Sequence, residues 1–151
     1  AVLIRSARRA DLPVIVALGE RLYHEQTRFS RPFDRVYAAG FVQWFIEQER
    51  CIAMVAERDG LVAGFVLGHL ARLSFSPDPV AVDAALYVLP EHRGGAGERL
   101  VQAFLDWAAP QTDLQVMTET AGISPGAYER LVSKAGFSPA GRIYHRRSGE
   151  L

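Results

Sequence analysis

The chain is 151 residues long, room for one domain with its own core, and its 49% hydrophobic and 23% charged content matches an ordinary globular fold. Seventeen basic residues balance seventeen acidic ones, so no overall field favours nucleic acid or an anionic membrane. One cysteine, Cys51, excludes an internal disulfide framework.

Cys51 lies in an apolar run and reads as buried and inert. No apolar run reaches the ~18 residues of a membrane span, and no secretory leader precedes the first strand. With a cysteine pattern suited to a reducing compartment, these features point to the cytoplasm.

Val2 to Arg8 reads as a first strand. Asp11 is placed to cap a helix starting at Leu12-Pro13, whose Ile15, Leu18 and Leu22 recur at helical spacing. Tyr23 to Asp34 is polar and irregular, and a second helix is expected from Val36 to Gln48 with Phe41, Trp44 and Phe45 on one face. Cys51 to Glu57 and Leu61 to Leu70 form two strands around Asp59-Gly60, a strong hairpin turn. A loop from Ser74 to Pro79 leads to a strand from Val80 to Val88.

Next comes a glycine cluster, Arg93-Gly94-Gly95-Ala96-Gly97, where that strand hands over to a helix. Leu100, Val101, Phe104, Leu105 and Ala108 give the helix its apolar stripe, and it stops before Pro110. A further strand is expected from Leu114 to Thr118. Ser124-Pro125 opens a last helix with Tyr128, Leu131, Val132 and Ala135 on one face, and Gly136 suits its termination. Arg142 to Arg147 reads as an edge-like closing strand.

The glycine turn carries the first chemical signal. Glycines let backbone approach a ligand closely, and the first N–H groups of a helix have no internal partners. Such donors, with the positive end of the helix dipole, suit a phosphate or pyrophosphate. A nucleoside-triphosphate loop would need Gly-Lys followed by Ser or Thr, absent here. A dinucleotide-binding fold would place the turn after the first strand.

The stretch "ALYVLPEHRGGAGERL", the hairpin "VAERDGLVAGFVLG" and the tail "VSKAGFSPAGRIYHRR" resemble the GNAT superfamily of acyl-CoA-dependent N-acyltransferases. The order strand, two helices, hairpin, strand, helix, strand, helix, strand extends the resemblance over nearly the whole chain. More narrowly, "HE" after the first helix and "ALYVLPEHRGG" look like a small phage- and bacterial-type group within it. The resemblance implies a single α/β domain over residues 1–151, with a mixed, mostly antiparallel twisted sheet flanked by about four helices.

It also implies acetyl-CoA as the cofactor and a small-molecule or peptide amine as acceptor, with no nucleic-acid or membrane partner, and it allows a homodimer. Main-chain groups of Tyr87, Val88 and Leu89 would hold pantetheine. The turn from His92 through Arg93, Gly94, Gly95, Ala96 and Gly97 to Glu98 would hold the pyrophosphate. Two alignments compete there. With His92 at the first position Gly95 and Gly97 fall in register, but His replaces the usual Arg or Gln. With Arg93 first the loop is one residue short.

An amine of lysine type arrives protonated, since its ordinary pKa is ~10.4, so a base is needed. Asp83 sits among apolar Val82, Ala84 and Ala85, where desolvation raises a carboxylate's pKa. Glu119, ending the next strand, is the other carboxylate on the expected cleft. The family's usual acidic Tyr in the last helix is Val132 here, leaving Tyr128, one turn earlier, and more weakly Tyr144. Tyr23, His24 and Glu25 fall where the resemblance places the acceptor wall. His24-Glu25 lacks the second His of a metalloprotease motif, and the scattered histidines with one cysteine propose no zinc. The missing Tyr and the altered loop leave one rival reading, a GNAT-fold protein that binds CoA as a sensor or interaction module without catalysis.

Overall fold

The computed structural model describes residues 1–26, 31–118 and 125–149, with Pro125 described by its backbone alone. β1 (Val2–Ser6) leads through a short 3-10 turn into α1 (Leu12–Glu25) and α2 (Arg35–Glu47). The hairpin β2 (Cys51–Arg58) and β3 (Leu61–Arg72) follows, then β4 (Pro79–Val88), α3 (Ala96–Ala108), β5 (Gln115–Val116) and α4 (Pro125–Lys134). The sheet order is β1-β2-β3-β4-β5, antiparallel except for the parallel β4–β5 pair.

Local chemistry accounts for the element boundaries. Asp59 (φ 52°) and Gly60 (φ 78°) both take positive φ, as a tight turn between twisted strands requires. Asp34 caps α2 by accepting the Tyr37 N–H at 2.9 Å. Gly136 (φ 96°) ends the last helix in the left-handed conformation.

The sheet separates two apolar cores. Ile15 and Leu18 of α1 and Val42 and Phe45 of α2 pack with Val55, Phe65, Leu67 and Tyr87 on one face. Leu100, Phe104 and Ala108 of α3 pack with Ile52, Val66, Ala81 and Val88 on the other. Phe104 is fully buried, a placement that contributes about 1.5–3 kcal/mol. Gly68 makes room for it, because a Cβ there would stand 2.7 Å from the ring.

Four sequence expectations change. Asp11 precedes α1, but its carboxylate accepts from the Arg8 N–H (2.7 Å) and the Arg5 guanidinium rather than from the helix. Phe41 and Trp44 are about half exposed while Val42 joins Phe45 inside, so the buried stripe of α2 lies one position over. The strand expected from Leu114 to Thr118 contracts to Gln115–Val116. Arg142 to Arg147 forms no strand: these residues are exposed and outside regular structure, since nothing in their own sequence supplies a pairing edge. Ser124 and Glu119 lie outside the described residues.

Candidate active site

The cleft is made by β4 losing its neighbour. Among the described residues β5 pairs with β4 at Ala81 and Val82, through Gln115 and Val116, and then ends. Just beyond, β4 carries a bulge: Leu67 faces Ala85 and Gly68 faces Asp83, leaving Ala84 unmatched. The extra residue reverses the alternation, so that Ala81 before it and Leu86 and Val88 after it all pack toward α3.

Backbone polarity follows from the register. The Leu89 N–H donates to the Ala63 carbonyl at 2.8 Å, so Leu89 and Tyr87 turn their main-chain groups toward β3. Leu86 and Val88 therefore aim theirs at the open edge. The Val88 carbonyl is there, accepting from Arg93 Nε at 2.8 Å. Of the three residues expected to offer main-chain groups, Val88 turns its own to the open edge, whereas the register turns those of Tyr87 and Leu89 toward β3. Leu86, absent from that expectation, shares the orientation of Val88. It escaped the sequence reading because one unannounced bulge decides which residues point outward.

Along this edge lies a cleft of about 600 Å³. Its floor comes from β4, including Asp83, Leu86, Tyr87 and Val88; one end is formed by Arg93, Gly95, Gly97 and Glu98, and α4 covers it with Tyr128, Arg130, Leu131 and Lys134. Leu89, His92, Gly94 and Ala96 are not among the lining residues. Of the two alignments, the geometry brings Arg93 to the cleft, whereas the His92 Nδ1 is buried without a partner among the described residues. Gly95 (φ 96°) precedes α3 in the left-handed conformation and turns the chain so that the helix N-terminus faces the same end.

Asp83 is 6% exposed. It accepts the Thr118 N–H at 2.9 Å and the Thr118 hydroxyl at 3.3 Å. Burial pushes its pKa up to about 6; the Thr118 bonds pull the other way without offsetting it, and among the described residues no charged neighbour joins them. The Tyr128 hydroxyl donates to the Thr118 carbonyl at 2.9 Å, so both side chains meet one residue.

A second group closes the α1 side. Glu25, the last residue of α1, accepts the Tyr87 hydroxyl at 2.7 Å and pairs with Arg93 at 3.4 Å. The Arg93 guanidinium also stands 5.5 Å over the Tyr87 ring. Burial, then Glu25, raises the Tyr87 pKa. Tyr23 accepts the Arg31 N–H at 2.6 Å and rests against the Phe33 ring, 5.5 Å between centroids, while the His24 side chain is largely exposed, 4.0 Å from Glu20. Tyr144 is exposed in the C-terminal segment and does not line the cleft.

The arrangement fits a long, phosphorylated acyl carrier. An unpaired strand edge offers amide donors to an extended arm, and a glycine turn, a helix N-terminus and Arg93 offer an anion site. Residues 19–131, more than half of the chain, match the family model described as Acetyltransferase (GNAT) family. The chain belongs to that family and is an acyltransferase whose acyl donor is acetyl-CoA.

Three solved structures show the same fold. A predicted acetyltransferase with acetyl-CoA from Clostridium acetobutylicum is 10% identical, with a TM-score of 0.79, over 97% of this chain and 96% of that one. An aminoglycoside N-acetyltransferase in complex with CoA is 16% identical, with a TM-score of 0.77, over 99% and 95%. A ribosomal-protein-alanine N-acetyltransferase from Brucella melitensis biovar Abortus 2308 is 21% identical, with a TM-score of 0.74, over 97% and 99%. No curated protein matches the sequence. No helix among the described residues is long and apolar enough to cross a membrane, and no metal-ligating cluster occurs among them.

Proposed function

We propose that residues 1–151 act as one domain that transfers an acetyl group from acetyl-CoA directly to an amine, with Asp83 as the general base. The observation that carries this reading is a carboxylate buried, among the described residues, without a cation, in the same cleft as the glycine turn. Acetyl-CoA supplies an activated thioester; the remaining work falls to the chain's own groups. Leu86 and Val88 offer the edge donors that polarise the carbonyl, a contribution of about 3 kcal/mol where such donors are preorganised. Arg93, Gly95, Gly97 and Glu98 bound the end that takes the pyrophosphate.

Asp83 takes the proton from the acceptor ammonium. Near neutral pH a group with a pKa of about 6 is mostly ionised, hence ready. Raising it above the ordinary 3.8 also narrows the gap to an ammonium at ~10.4, which lowers the uphill cost of transfer by about 3 kcal/mol. The amine nitrogen then bonds to the acyl carbon and sheds its second proton to solvent as the C–S bond breaks, while the Tyr128 hydroxyl gives a proton to sulfur and regains one from solvent. A thiolate with an ordinary pKa near 8.5 leaves readily, so Tyr128 assists rather than enables. Tyr23, His24 and Glu25 lie at the α1 end and wall the acceptor side.

The acceptor is a small-molecule or peptide amine, with no nucleic-acid or membrane partner, and the setting is the cytoplasm. The aminoglycoside and ribosomal-protein enzymes of the same fold support amines as a class. The exposed C-terminal Ile143 and Tyr144 support a homodimer. Thiol release from acetyl-CoA across a panel of primary amines tests the reading. Turnover that depends on one amine class and disappears in Asp83→Asn is expected. Tight binding of acetyl-CoA with no turnover on any amine would instead favour the sensor, to which Val132 in place of an acidic Tyr already lends weight.

A further inference from the structure

Arg93 belongs to the glycine turn by sequence, yet its guanidinium is engaged elsewhere. Its Nε donates to the Val88 carbonyl at 2.8 Å, its Nη2 lies 3.4 Å from Glu25 Oε2, and its Cζ stands 5.5 Å over the Tyr87 ring. These partners lie on β4 and at the end of α1, not on the turn. A Cβ placed on Gly95 would meet nothing within 4 Å, so the guanidinium leaves that residue uncovered. The Val88 carbonyl faces the open edge of β4, where an extended arm added as a strand would look for an acceptor. Arg93 already fills it. Glu25, for its part, stands where an anionic ligand of Arg93 would stand.

The tie to Glu25 is built to exchange rather than to last. It is a single long contact between side chains 41% and 29% exposed, and pairs of that kind hold weakly. Glu25 has a firmer partner in the Tyr87 hydroxyl, at 2.7 Å, which keeps the carboxylate in place when the guanidinium leaves. A pyrophosphate brings more negative charge than one carboxylate, in the paired-oxygen form that a guanidinium fork accepts. We propose that Glu25 and the Val88 carbonyl latch Arg93 away from the turn in the free protein, and that an acyl carrier binds by taking the guanidinium from Glu25. Glu25 is then an internal competitor of the carrier's pyrophosphate and lowers the affinity for it. The inference rests on the acetyl-CoA reading and adds a regulation of that same site: the latch ties carrier entry to the end of α1.

Calorimetric titration of acetyl-CoA tests it on native protein, Glu25→Gln, Glu25→Asp, Arg93→Gln and the Glu25→Gln, Arg93→Gln double variant. Gln keeps an oxygen for the Tyr87 hydroxyl but has no charge to hold the guanidinium, so Glu25→Gln should bind acetyl-CoA about two- to fivefold more tightly. Glu25→Asp, which withdraws the charge by one methylene, should also gain, by less. In the Arg93→Gln background the Glu25→Gln change should alter nothing, because the competitor acts through Arg93. Unaltered or weaker binding by both single Glu25 variants would overturn the latch, since Glu25 would then support Arg93 or stand idle. A gain that persists in the Arg93→Gln background would overturn it as well, because Glu25 would be repelling the phosphates directly. Native protein that binds no acetyl-CoA would overturn the acetyl-CoA reading itself.

Discussion

Two aspartates are both closed to solvent, one shallowly beneath an arginine and one deep in the sheet, and they are opposite in character. Asp11, at the start of α1, is 7% exposed, and Asp83, in the middle of β4, is 6%. Asp11 accepts the two ends of the Arg5 guanidinium at 2.8 and 2.9 Å and the Arg8 N–H at 2.7 Å, and that pairing holds its pKa down at about 2. Among the described residues Asp83 meets the Thr118 N–H and hydroxyl and no cation, and burial carries it up to about 6. Low exposure alone therefore does not decide what a carboxylate is for; depth and partner together do. A bidentate cation makes Asp11 a fixed strut between β1 and α1, while the missing cation leaves Asp83 able to exchange a proton.

The most severe way to break the contrast is to remove each carboxylate in turn. Asp83→Asn keeps an oxygen for Thr118 but cannot take a proton, so turnover should fall by about 10²–10⁴-fold while acetyl-CoA affinity holds. Asp11→Asn should leave turnover within about twofold, because the Arg5 site is separate from the cleft. Steady-state kinetics on both variants read this directly; equal losses would dissolve the distinction.

Stability should move the other way. Asp11 has a lowered folded pKa, so its contribution is present above pH ~3.8 and is lost as pH falls toward 2. Asp11→Asn should cost about 2 kcal/mol at pH 7, as Arg5 loses its closest partner and keeps Glu57 at 3.5 Å. Asp83 has a raised folded pKa: the native state holds that proton longer than the unfolded chain, so stability falls as pH rises from about 4 to 6. Asp83→Asn should therefore stabilise the fold at pH 7.5 by about 1–3 kcal/mol. Denaturant melts at pH 4 and 7.5 settle the sign, because the gain should shrink at the lower pH.

The activity profile sharpens the same point at smaller amplitude. kcat/KM should rise about tenfold per unit below pH 6 and bend near 6, as Asp83 loses its proton. Asp11→Asn should not move that bend. A bend near 4 would mean that Asp83 is wetter than its surroundings suggest.

Much of this was legible beforehand, for physical reasons that also mark where legibility stopped. Asp59-Gly60, the stripe of α3 and the turn around Gly95 are local signals, written in residues whose φ preferences and spacing act within a few positions. The desolvation of Asp83 was readable from Val82 and Ala85 beside it. The bulge at Ala84 announced itself with no glycine or proline, yet it decides that Leu86 and Val88 face the cleft. The tie from Glu25 to Tyr87 and Arg93 spans more than sixty positions and has no local signature. Asp11 looked like a helix cap until Arg5 and the Arg8 N–H outbid the helix for its oxygens. Arg142 to Arg147 has strand-like residues, but strand character needs a partner edge, which its own sequence cannot specify.

The smallest expected effect tests how Asp83 is held rather than whether it reacts. Tyr128→Phe removes the hydroxyl that donates to the Thr118 carbonyl, and Thr118 supplies two hydrogen bonds to Asp83 among the described residues. If Tyr128 returns the proton to sulfur, kcat should fall by about 2–10-fold with KM for acetyl-CoA unchanged, a modest loss because the thiolate leaves readily unaided. If the hydroxyl chiefly steadies Thr118, kcat should hold near neutral pH while the bend near 6 moves upward, because weaker bonds from Thr118 stabilise the carboxylate less. The two outcomes separate in one pair of pH profiles. A variant that changes neither kcat nor the bend would remove Tyr128 from the chemistry and leave the proton transfer to Asp83 among the described residues.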